Sequence, residues 1–262
     1  MSSNLLRFED WTAPVSHVER EVLSAVPAEP DDVPPLLFVP GLGHGAWAFA
    51  EHWLGHAASR GFAAHAVSPR AEGSLRAYAH DVVQVAAALP RQAVLVGHGA
   101  GALVVSQALA RYPARAAVLV APVLGGWATL GAALRANLFG TLPALFGGPL
   151  RLSRRQLFSP DLPEADDYRA RLVRAPSSVY RQVLTARPAA EPVGSPPALV
   201  VGSPDDRVVP RKVLDRTAGK YGSAPLLFPG MGHDLMLETA WQEPLDAILD
   251  WLTKELASQS GG

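Results

Sequence analysis

The sequence predicts an α/β fold: a mostly parallel central sheet with helices on both faces and a helical cap inserted between two of its strands. Three observations carry this. Short apolar runs alternate with longer segments of helical period, glycine-rich turns stand directly after several of those runs, and one interval of roughly 80 residues breaks the alternation. Pro35–Val39, Ala63–Val67, Ala93–Gly97, Ala116–Ala121, Ala198–Gly202 and Pro225–Phe228 are the strand candidates. They read as continuous apolar stretches, the pattern of strands buried on both faces. Helices are expected near 47–60, 75–89, 100–112, 211–221 and 242–256, and weaker edge strands within the first 25 residues. The long interval holds helical pieces and the breakers Gly125-Gly126, Gly147-Gly148-Pro149 and Pro188, too much chain for one crossover helix. Residues 124–192 are therefore read as the cap, and 1–123 with 193–262 as the core.

The 262 residues suit one large α/β domain with an insertion. Hydrophobic residues make up 48% and charged residues 18%, so a sizeable core is available and disorder is not expected. A formal net charge of −1 without a basic stripe argues against nucleic acid as a partner. With no cysteine there is no disulfide, thiolate nucleophile or cysteine-based metal site. The start, Met1–Trp11, lacks a basic segment followed by an apolar one, and no apolar stretch reaches the length of a membrane span, so cytoplasmic is the default location.

The most informative motif is Gly97-His98-Gly99-Ala100-Gly101, which ends an apolar run and opens a helix. A strand–turn–helix with G-x-x-x-G spacing is the context of a nucleophile elbow, whose central residue is ordinarily serine. Here that residue is Gly99. A dinucleotide fingerprint needs G-x-G-x-x-G and a later acidic residue. The glycine spacing differs, and no Asp or Glu occurs in the next 20 residues. Gly41-Leu42-Gly43-His44-Gly45 follows the first strong strand candidate and is a loop of the kind that aims backbone N–H groups at an anion. Leu42 N–H and Ala100 N–H are the expected oxyanion donors, the latter aided by the helix dipole. Asp205 and Asp206 follow a fifth strand candidate, and His233 follows a sixth, so the order elbow, acid, histidine is that of a catalytic triad. Counting from Gly202 favours Asp205 as the acid; counting back from Pro210 favours Asp206, which is preferred. His233 is the expected base. Gly41, His98 and Trp127 are expected to line the substrate pocket. His44 reads as a loop residue beside the site, and His52, His56, His65 and His80 as residues of helices or strand ends. Ser68, Ser106 and Ser203 are not expected to replace the missing hydroxyl.

Through Val39–Trp47, Gly97–Gly101, Gly202–Pro210 and Gly230–Leu237 the chain resembles the α/β-hydrolase superfamily over nearly its whole length. The segment Gln156–Leu184, with LFSPDLPEADDYRARLV, looks like lysophospholipase-like or carboxylesterase-like members, and HGAW at 44–47 like the plant esterase and hydroxynitrile lyase branch. The resemblance implies Ser–Asp–His cleavage of an ester, thioester or amide without a cofactor or metal. Carried over, it makes His233 the base, Asp206 its orienter, and Leu42 and Ala100 the oxyanion donors. The nucleophile does not carry over. Three accounts stay open: a deliberately inactivated serine esterase, a natural non-hydrolytic lyase, cyclase or isomerase, and a ligand-binding protein. The apolar residues of 124–192, with Trp127, Phe139, Phe146 and Phe158, point to a small, largely apolar ligand.

Overall fold

A computed structural model of the chain describes residues 18–29, 33–126, 131, 134, 137–146, 148, 152–187 and 189–260. Seven strands form one sheet: β1 Val22–Ala25, β2 Leu36–Val39, β3 Ala64–Val67, β4 Val94–His98, β5 Ala116–Val120, β6 Ala198–Gly202 and β7 Leu226–Leu227. Their order is β1-β3-β2-β4-β5-β6-β7, with β1 antiparallel to β3 and every other neighbouring pair parallel. Six of the seven strands are the six apolar runs. β1 is the antiparallel edge strand, half-exposed along its length, which is why its period is weak in the sequence.

The apolar runs are continuous because both faces of the sheet are covered. Leu36, Phe38, Val94, Val96, Val118 and Val201 pack into one core layer. Their immediate neighbours Leu37, Val39, Leu95, Leu119 and Val200 point the other way into a second. This is the two-residue alternation of a strand with apolar side chains on both sides.

Among the described residues the helices are α1 Trp47–Ala50, α2 Trp53–Ser59, α3 Leu75–Ala88, α4 Ala100–Leu109, α5 Leu138–Leu145, α6 Arg154–Leu157, α7 Ala165–Ala170, α8 Ser177–Leu184, α9 Arg211–Gly219 and α10 Gln242–Ser260. The helix expected over 47–60 is two helices, because His52 leaves helical geometry at φ −137°. α3 starts where Ser74 accepts a hydrogen bond from Ala77 N–H, satisfying one orphan donor of the first turn. α5 to α8 all fall between β5 and β6. No helix of the described residues is long and apolar enough to cross a membrane.

Candidate active site

The site gathers at the ends of β2, β4, β6 and β7, where a parallel sheet leaves its loops to converge. At the end of β4 the chain turns sharply into α4. Gly99 takes φ 54°, ψ −123°, a conformation that costs a side-chain-bearing residue strain and a glycine almost none. The turn is fixed by Gly99 N–H donating to Val120 O at 2.9 Å and Gly99 O accepting from Val123 N–H at 2.9 Å. Gly101 lets α4 start against β2: a Cβ there would run into the Val39 carbonyl oxygen.

After β6, Asp206 is buried. Its Oδ1 accepts from Val208 N–H at 2.6 Å and Val209 N–H at 3.0 Å, and its Oδ2 faces His233 Nδ1 at 2.8 Å. Asp205 does not reach His233. Its Oδ2 accepts from Gly230 N–H at 2.7 Å and so ties the acid loop to the loop that carries the histidine. That loop has a second anchor. Glu238, buried, accepts from Gly232 N–H and Ser159 N–H through Oε1 and from Ser159 Oγ through Oε2. With Nδ1 engaged by Asp206, the other ring nitrogen of His233 is turned to the elbow. A Cβ built on Gly99 would lie 3.1 Å from Nε2. Burial works against the imidazolium of His233, but the charge and hydrogen bond of Asp206, with the charge of Asp234, outweigh it and raise the pKa above the ordinary value.

Gly41, Leu42, His98, Ala100 and His233 line one cavity of roughly 80 Å³. Its walls are mostly aliphatic, supplied by Val123, Leu152, Leu157, Val183, Leu184 and Val208, with Tyr180, Thr141 and Gln156 among them. Of the aromatic residues of 124–192, Tyr180 lines this cavity and the three phenylalanines named from the sequence do not. Phe139 and Phe146 are 88% and 84% exposed, and Phe158 is buried in the main core. The short helix α5 turns Leu138, Phe139 and Leu142 outward, and Leu157 rather than Phe158 reaches the cavity. Trp127 lies outside the described residues. A second cavity, of about 260 Å³, adjoins the first through Leu42 and His44, with Arg171, Arg174 and Trp47 among its walls.

The three candidate serines are all held in structural bonds. Ser106 Oγ donates to Ala102 O inside α4, Ser203 Oγ accepts from Asp205 N–H, and Ser68 Oγ joins Ala46 N–H to Glu21. Beside the His–Asp pair lies a group that sequence reasoning missed. His44 Nε2 is 2.9 Å from Asp234 Oδ2, and His98 Nε2 is 3.4 Å from Asp234 Oδ1 and 3.1 Å from His233 O. All three side chains are buried, and their ligand-type atoms lie within 4.8 Å of one another. Nothing in the sequence marks Asp234 except its place next to His233. Burial, then the neighbouring His233, pushes the His98 pKa down to about 3, so that ring is neutral at physiological pH.

With this geometry in place, the family is defined: residues 36–250 match the model of the alpha/beta hydrolase family, and the chain belongs to it. Solved structures of similar fold include a monoacylglycerol lipase from Paleococcus ferrophilus at 17% identity, TM-score 0.68, covering 91% of this chain and 100% of that one. A soluble variant of monoglyceride lipase from Saccharomyces cerevisiae, bound to a substrate analogue, is similar at 13% identity and TM-score 0.67, covering 92% and 96%. An esterase from Rhodococcus is similar at 20% identity and TM-score 0.64, covering 89% and 95%. These likenesses concern the fold. Comparison with curated proteins gave no significant match.

Proposed function

We propose that the chain carries an esterase-type site for a small, largely apolar ester or related acyl compound, in which Gly99 occupies the nucleophile position and closes the covalent route. The observation that carries this reading is the 3.1 Å between a Cβ placed on Gly99 and His233 Nε2. A hydroxyl carried on such a Cβ would stand within hydrogen-bond reach of a base oriented by Asp206. His233 is then a general acid–base group, Asp206 holds its tautomer and steadies the imidazolium, and Leu42 and Ala100 N–H groups are the oxyanion donors. Residues 124–192 serve as a cap whose aliphatic side chains shape the acyl pocket. The lipases and the esterase of similar fold, by their names, act on this substrate class, which supports the reading.

Without a nucleophile, loss of turnover is on the order of 10⁶-fold, because base, nucleophile and orienter act as a unit. The expected result is little or no cleavage of short p-nitrophenyl esters by the chain as it stands and measurable cleavage by Gly99→Ser. A well-folded Gly99→Ser protein inert to every such ester contradicts the reading.

One observation favours a second reading. The His233–Asp206 pair is complete and buried although no side chain stands before Nε2. A glycine there leaves room for a substrate atom beside the base, as a lyase, cyclase or isomerase requires. An eliminated or rearranged product formed by the unaltered chain would favour it. Tight binding without any turnover would instead mark a ligand-binding protein.

A further inference from the structure

Three segments meet at Asp234. His44 belongs to the glycine-rich loop that follows β2, His98 ends β4 next to Gly99, and Asp234 follows His233. The chemistry of the atoms sets where the protons sit. An ionised carboxylate only accepts, so His44 Nε2, 2.9 Å from Asp234 Oδ2, carries the hydrogen and donates it. His98 Nε2 carries a hydrogen as well, donated to the His233 carbonyl oxygen at 3.1 Å, while Asp234 Oδ1 lies 3.4 Å away and has no hydrogen-bond partner. The remaining ring nitrogens, Nδ1 of His44 and of His98, are buried and without a hydrogen-bond partner. Each imidazole thus commits its hydrogen to a fixed acceptor of the protein, which makes the arrangement a clamp between three segments.

We propose that Asp234 is a positioning residue that locks the Nε2–H tautomer of His44 and, with the His233 carbonyl holding the Nε2–H of His98 beside it, fixes the loop of Leu42 and the elbow of Gly99 against the loop of His233. The catalytic consequence rests on the esterase-type reading above; the geometry does not. Leu42 is two residues from His44, and Ala100 is two from His98, so the clamp holds both proposed oxyanion donors relative to the base. The carboxylate is buried, so removal of the His44 donor would leave its charge without a hydrogen bond from either imidazole in the interior. Asp234 itself is held low in pKa. Burial opposes its ionisation, but its imidazole neighbours, His44 first and then His98 and His233, outweigh that.

The test is imidazole nitrogen NMR on the whole chain, with assignments from single His→Gln variants, together with metal analysis. The expected spectrum shows His44 and His98 as neutral or donating Nε2–H rings. In Asp234→Asn the carboxamide offers one acceptor and one donor in place of two acceptors. His98 keeps the His233 carbonyl as acceptor, so the change is expected at His44, which loses its charged acceptor: its Nε2–H signal shifts or the ring moves to Nδ1–H. Unchanged tautomers and shifts in a folded Asp234→Asn protein would overturn the proposal. So would one equivalent of tightly held zinc together with loss of both Nε2–H signals, which would make the cluster a cation site.

A kinetic arm uses the Gly99→Ser background. Asp234→Asn is expected to lower kcat roughly 10–100-fold, the usual cost of losing a group that orients a catalytic one, with KM changed less than about threefold. Replacement of His44 by glutamine, whose amide N–H can still donate, should retain more activity than replacement by leucine. Equal kcat in Gly99→Ser with and without Asp234→Asn would also overturn the clamp. Should Gly99→Ser itself prove inert, the esterase reading falls, and the tautomer measurement decides the clamp alone.

Discussion

His233 Nδ1 lies 2.8 Å from Asp206 Oδ2, while the adjacent Asp205 turns away and accepts from Gly230 N–H. Two neighbouring carboxylates thus do different work: one orients the proposed base, the other braces the loop that carries it.

The first prediction follows from that division. In the Gly99→Ser background, Asp206→Asn should lower kcat on the order of 10³–10⁴-fold, the scale of losing the residue that fixes the base's tautomer. Asp205→Asn keeps an acceptor for Gly230 N–H and should cost less than about tenfold. Initial rates on one p-nitrophenyl ester check both. Equal losses would contradict the assigned roles.

The second concerns pH. The base must be neutral to take a proton, and the His233 pKa is raised above the model-compound value of 6.5. In Gly99→Ser, kcat/KM should therefore rise with pH, with a midpoint above 6.5. Asp206→Asn removes the charge that opposes desolvation, so the residual activity should show a lower midpoint. A profile falling across pH 6–8, or a midpoint unmoved by Asp206→Asn, would count against His233 as the base.

The third concerns acid stability. The His98 pKa falls from 6.5 in the unfolded chain to about 3 in the folded one. Between these values the unfolded state binds the extra proton, so stability is present above 6.5 and is lost as pH falls through the window toward 3. Each pH unit in the window is worth about 1.4 kcal/mol. At pH 5 the native chain should have lost about 2 kcal/mol relative to a His98→Gln variant, compared with their difference at pH 7. Urea unfolding of both proteins at the two pH values measures it, and a pH-independent difference would contradict a buried neutral His98.

The fourth concerns Glu238, whose carboxylate accepts from Gly232 N–H, Ser159 N–H and Ser159 Oγ. Glu238→Ala leaves buried donors unsatisfied and should cost about 2–5 kcal/mol in urea unfolding. A loss under about 1 kcal/mol would show that water replaces the carboxylate.

Much of this was legible in the sequence because two-sided burial leaves unbroken apolar runs. Leu36–Val39 and Val94–His98 were recognisable as strands, and the turns after them as the places where chemistry gathers. Gly99 in the elbow and the candidate pair Asp206–His233 were readable from motif order and spacing. The choice between Asp205 and Asp206 was not settled by counting, since both registers were self-consistent and only the loop's path decides which carboxylate reaches His233. Asp234, His44 and Glu238 were missed as a group because their contacts span long separations in the chain. A lone Asp or Glu after a strand carries no periodic signal of being buried. The break at His52 and the outward Phe139 were likewise invisible, as local backbone geometry and packing against neighbours decide them.

The central claim is that position 99 is the nucleophile position of an esterase-type site. Its most direct test is intact-mass spectrometry after exposure to a fluorophosphonate serine probe, using the chain as it stands, Gly99→Ser, and Gly99→Ser with His233→Ala. The serine must hold the positive-φ turn, at a cost of about 1–3 kcal/mol of stability, and its Cβ must fit 3.1 Å from Nε2, so folding is verified by urea melts of all three. A single stoichiometric adduct is expected at position 99 in Gly99→Ser, none in the unaltered chain, and labelling slowed at least roughly 100-fold when His233 is removed. No adduct in a folded Gly99→Ser protein, or labelling at equal rate without His233, would contradict it.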